Sequence, residues 1–189
     1  FYNELVGSEY VIYADNSEVM PMSVKFSFKL INLKSSIAND EIIVIPANTK
    51  RFLVAKITPL NAREGNQFSY TTTFNFGNAA QETFDEDYLY SLPFGKGKTH
   101  LIYQGYYGKF SHQKDAALDF DMKIGDPVYA AREGTVVLTE DSNLQGCPKI
   151  SCAKFNNKVL IMHSDGTFAD YAHLKYKGVA VKKGDEIKK

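Results

Sequence analysis

Four histidines, His100, His112, His163 and His173, carry the metal-binding and proton-transfer chemistry this chain could offer, and all lie in its second half. Imidazole and carboxylate are the ligands a borderline-soft cation such as zinc takes, and a catalytic zinc site keeps one position for water. His112 precedes Asp119, and the intervening Gln-Lys-Asp-Ala-Ala-Leu is long enough to loop back and let the two side chains converge. Asp119 stands between Leu118 and Phe120; on a strand those two face the core and Asp119 faces the other way. Asp115 and Asp121 compete as ligands but have less apolar flanking to fix them. His173 follows Tyr171 on one face of a later candidate strand, with Ala172 and Leu174 facing inward. By itself the His-to-Asp spacing is unspecific, since such pairs are commonly surface hydrogen bonds. His163, at the edge of the apolar run Val159–His163, reads as structural or turn-capping, and His100 reads as structural.

The elements that must position these residues are strands. Val24, Phe26, Phe28 and Leu30 alternate with Lys25, Ser27 and Lys29, and Phe68, Tyr70, Thr72, Phe74 and Phe76 repeat at period two. With Tyr10–Tyr13, Ile42–Ile45, Arg51–Ile57 and the turns between them, this predicts an antiparallel β-sandwich over residues 1–90. The sandwich holds no catalytic constellation and reads as an accessory domain. Residues 91–98 are rich in Pro and Gly and read as a linker. Strands resume over 99–189: Thr99–Tyr103, Ala116–Phe120, Val128–Ala131, Gly134–Thr139, Lys158–His163, Thr167–Leu174 and Gly178–Val181. Helical periodicity is absent, so the fold class is all-β in two units.

Composition narrows the partners. The 189 residues carry 22 Lys plus Arg against 22 Asp plus Glu, which removes the net basic charge a nucleic-acid binder uses to displace counterions. Apolar residues at 44% and charged residues at 23% fit a globular chain rather than a disordered one. No apolar run is long enough for a transmembrane segment, and the opening Phe-Tyr-Asn-Glu is not a signal peptide. Cys147 and Cys152 have no second Cys/His pair nearby to complete a metal knuckle, so a small loop disulfide, and with it a compartment outside the reducing cytosol, is expected.

The ordered combination of Gly105-Tyr-Tyr-Gly-Lys-Phe-Ser-His112, Ala117-Leu-Asp-Phe120 and Gly125-Asp-Pro-Val-Tyr-Ala-Ala-Arg-Glu-Gly-Thr-Val-Val137 resembles the zinc endopeptidases of the lysostaphin/LytM type. So do Val159-Leu-Ile-Met-His-Ser-Asp-Gly-Thr-Phe-Ala-Asp-Tyr-Ala-His-Leu174 and Val181-Lys-Lys-Gly-Asp-Glu-Ile187. The resemblance covers residues 99–189. It implies an antiparallel β domain of the duplicated-hybrid-motif kind, a zinc cofactor, and cleavage of peptide bonds in peptidoglycan at the periplasm, cell surface or outside the cell. His112 matches the family's first zinc ligand, Asp119 the second, and His173 the histidine that orients substrate or steadies the oxyanion. His163 matches a position that is not a ligand. The family's closing His-x-His, which supplies the third ligand and the general base, is absent here, and that ligand is expected beyond Lys189. The alternative is a catalytically inactive envelope subunit whose fold serves as a protein-binding platform, with an envelope partner covering Tyr106, Tyr107 and Phe110.

Overall fold

The computed structural model describes residues 1–145 and 150–189. The chain divides into two compact units, one formed by Phe1–Phe84 with Asp165–Thr167 and the other by Asp85–Ser164 with Phe168–Lys189. The expected Cys147–Cys152 bridge involves Cys147, which lies outside the described residues.

The first unit is two antiparallel sheets. One has the order β1 (Tyr2–Val6), β2 (Glu9–Asn16), β6 (Thr49–Pro59), β4 (Leu33–Ser35); the other runs β5 (Ile42–Ile45), β3 (Met22–Ile31), β7 (Gln67–Phe76). Alternation along β3 sends Val24, Phe26 and Phe28 into a core shared with Ile12, Ala14, Val54, Ala55 and Ile57 of the other sheet, while Lys25, Ser27 and Lys29 stay exposed. Phe26 also meets Tyr70 at 5.3 Å between ring centroids and stacks on Phe28 at 5.5 Å. A buried asparagine closes one end: the Asn16 amide donates to the carbonyls of Met20, Ile45 and Pro46, and its oxygen accepts from Glu18 N. A buried amide so fully partnered avoids a desolvation cost of about 1–3 kcal/mol per orphaned group. The far end of β7 departs from the expected pattern, since Phe74 and Phe76 are exposed.

The second unit holds a four-stranded antiparallel sheet in the order β12 (Phe168–Tyr171), β11 (Lys158–Met162), β10 (Gly134–Glu140), β13 (Glu186–Ile187). Val136, Val159 and Ile161 form its core, and Ala130, Tyr171, Leu174, Val179, Val181 and Ile187 pack against them. A register shift between Val136 and Leu138 buries two consecutive residues, Val136 and Val137, which strict alternation would not. Gly134 is a close-approach position: a Cβ there would lie 2.3 Å from Met162 O and 2.8 Å from Ile161 Cγ2. Burial pushes the Tyr171 phenol up from its ordinary pKa, and its oxygen accepts Ala131 N–H at 2.7 Å. A separate two-stranded ribbon pairs β8 (Ile102–Gln104) with β9 (Asp119–Phe120).

Several expected strands take another form. Val128–Ala131 and Gly178–Val181 are not strands; Ala130, Val179 and Val181 pack on the sheet as irregular chain, while Val128 and Tyr129 are exposed. The Val128–Ala131 stretch instead meets residues 91–93, through Ser91 N to Ala131 O and Tyr129 N to Pro93 O. The stretch 85–91 is seated on this unit as well. The Arg132 guanidinium, almost fully buried, lies 4.0 Å over the Tyr88 ring and donates to Tyr90 Oη. A 3-10 helix, Ile150–Phe155, interrupts the strands where none was expected.

Candidate metal centre

The ribbon β8–β9 positions the site. Its register sets Gln104 opposite Asp119 and Ile102 opposite Phe120. Phe120 is held by an edge contact with Phe94, whose ring also meets His100. Asp119, although only part-exposed, is therefore fixed by backbone pairing and not by the flanking Leu118, which is exposed where the sequence placed it in the core.

Between the two strands the chain makes two linked turns. Gly108 N donates to Gly105 O and Asp115 N to His112 O, and Tyr107 N reaches across to Asp115 O at 3.1 Å. Tyr107 takes a left-handed φ of 56° in the first turn. This folding-back delivers His112, 8% exposed, to Asp119: Nε2 stands 3.3 Å from Oδ1. The other ring nitrogen, Nδ1, lies 3.3 Å from Gly105 O. A carbonyl only accepts, so Nδ1 carries the proton, and in the neutral ring the Nε2 lone pair then faces a carboxylate oxygen. Two acceptors facing each other call for a proton or a cation between them. The same pattern, a ligating imidazole with its second N–H on a carbonyl, orients histidines at metal sites. One nitrogen and one carboxylate oxygen suit zinc as two of the three protein ligands it needs.

The competing carboxylates are placed elsewhere. Asp115 is exposed and contributes its backbone to the turns. Asp121 is exposed and lends its carbonyl to His100 Nδ1 at 3.0 Å. Among the described residues no group of three or more His, Cys, Asp or Glu side chains is arranged to hold a metal.

His173 departs from its expected setting. β12 ends at Tyr171, so His173 lies past the strand in a bend, exposed, with φ of 61°. Leu174 beyond it does turn inward, and its N–H is fixed to Asn157 O at 3.0 Å. Among the described residues no hydrogen bond or ion pair joins the His173 ring to the His112–Asp119 pair. His163 is 2% exposed, with Nδ1 2.7 Å from Glu133 O and the Tyr90 ring edge-on at 6.2 Å, the setting of a structural histidine. One residue was missed from sequence: Gln104, whose amide reaches Asp119 Oδ2 at 3.2 Å. Its type and position give no signal, because only the strand register brings it to the carboxylate.

Residues 113–189 match the family model described as Peptidase family M23. The matched span contains Asp119 and His173 and begins one residue after His112. No curated protein and no solved structure matches the chain. The match supports a LytM-type M23 peptidase domain near the C-terminus, and with it hydrolysis of the metallopeptidase kind.

Proposed function

We propose that this M23-type domain is a zinc-dependent endopeptidase of the bacterial cell envelope that cleaves peptide bonds in peptidoglycan. The observation that carries the reading is the convergence of His112 Nε2 and Asp119 Oδ1 to 3.3 Å, with His112 Nδ1 anchored on Gly105 O. His112 and Asp119 would hold the metal as two of the three protein ligands that zinc takes. Bound there, zinc would polarise the scissile carbonyl and lower the pKa of its water toward about 7.

The chain's own residues have separate tasks. His112 presents a lone pair from a nearly buried ring oriented by its contact with Gly105 O. Asp119 supplies negative charge from the more open side, where substrate arrives. His173, exposed on a bend, is suited to donate to the oxyanion that develops at the attacked carbonyl. Peptide is the substrate class the family match supports; the peptidoglycan assignment and the periplasmic, cell-surface or secreted location rest on the sequence motifs. The first unit acts as an accessory domain that restricts access or docks an envelope protein. The inactive-platform alternative gains nothing from the paired His112 and Asp119.

The test is metal stoichiometry of the full-length protein at neutral pH, with muropeptide release from purified cell wall as the activity. About one zinc per chain is expected, with both zinc and activity lost in His112→Ala and Asp119→Ala and zinc retained in Asp115→Ala. A full-length protein that binds no zinc overturns the reading.

A further inference from the structure

Consecutive residues at the end of β8, Gln104 on the strand and Gly105 just past it, hold the two members of the His112–Asp119 pair. Gln104 Nε2 donates to Asp119 Oδ2 at 3.2 Å and to Ser111 Oγ at 2.8 Å, while its Oε1 accepts Ser111 N–H at 3.4 Å. The amide is pinned from both sides, and by engaging Oδ2 it leaves Oδ1 turned to His112. The next residue, Gly105, holds His112 through its carbonyl. Gly108 lets both arrangements close at once. A Cβ at Gly108 would fall 2.5 Å from Gln104 Cγ, 2.9 Å from Gln104 Cδ and 3.1 Å from Gly105 O. Cγ is near the root of the Gln104 side chain, so relief requires the whole side chain to move.

We infer that Gln104 is a positioning residue that selects which oxygen of Asp119 is presented with His112 to the divalent cation, and that Gly108 is the small residue that admits it. This rests on the metal reading above. Such outer partners of metal ligands typically change affinity 10–100-fold when removed.

The experiment uses the full-length protein and two readouts: zinc affinity by competition with a chromophoric chelator, and the visible absorption of the cobalt-substituted protein. Gln104→Met keeps the length of the side chain and removes its hydrogen bonds. It is expected to weaken zinc about 10–100-fold and to shift the cobalt bands, because the carboxylate is free to rotate. Gly108→Ala should do the same through displacement of the Gln104 side chain. The double variant should be no weaker than the worse single one, since both act on one contact. Circular dichroism checks that each variant is folded, and if Gln104→Met does not fold, Gly108→Ala carries the test. Wild-type affinity and cobalt bands retained in a folded Gln104→Met or Gly108→Ala protein overturn the inference and leave the metal reading standing. A wild-type protein that takes up neither metal overturns both.

Discussion

At the residue scale, His173 separates backbone cost from chemical role. Its φ of 61° lies in the left-handed region, where a side chain with a Cβ costs roughly 1–2 kcal/mol. The chain tolerates that cost because Tyr171 and Leu174, on either side, are both packed on the core of the second unit. Strain of this kind is common at functional positions. His173→Gly should therefore be more stable than His173→Ala by about 1 kcal/mol in a denaturant titration. Both variants should lose muropeptide release to the same extent. Equal stabilities would remove the strain argument, and retained activity in either variant would remove His173 from the proposed chemistry.

At the element scale, the β10–β11 pair is the part of the second unit most sensitive to a single atom. Gly134 opens β10 where the Met162 carbonyl approaches closely. Gly134→Ala must push backbone against backbone, and overpacking of this kind typically costs about 1–3 kcal/mol. A lower melting temperature of the purified second-unit transition checks it; an unchanged one would show that the strands can separate freely. The same elements explain what was legible in the sequence. β3 and the first half of β7 were readable because one face is buried and the other wet, so composition alternates with geometry. β1 was not anticipated, because Tyr2–Val6 is an edge strand that is mostly exposed and leaves no such trace. Val128–Ala131 and Gly178–Val181 misled in the opposite direction: Ala130, Val179 and Val181 pack on a sheet, which irregular chain also achieves, and Val128 and Tyr129 are exposed. At the site, His112 and Asp119 were readable from residue type and motif order. Gln104 and the Gly105 carbonyl were not, since they enter only through the register of β8 on β9 and the turn that follows.

At the scale of the whole molecule, each unit has its own hydrophobic cluster, one centred on Phe26 and Ile12 and the other on Val136 and Ile161. Heating should accordingly produce two unfolding events. Phe26→Ala, which removes a fully buried ring, should lower the first-unit event by about 3–5 kcal/mol and leave zinc affinity within twofold of wild type. Zinc in excess should raise only the second-unit event, since a ligand stabilises the state that binds it. A single event shifted by both perturbations would refute this separation. The seating of Tyr88 and Tyr90 on Arg132 has a practical consequence in a chain with no tryptophan. Two phenols in edge-to-face contact at 5.1 Å, one of them beneath a fixed guanidinium, form an asymmetric chromophore. The difference in near-ultraviolet optical activity between wild type and Tyr88→Phe thus becomes an intrinsic gauge of whether the 85–91 segment is in place, the other tyrosines being common to both.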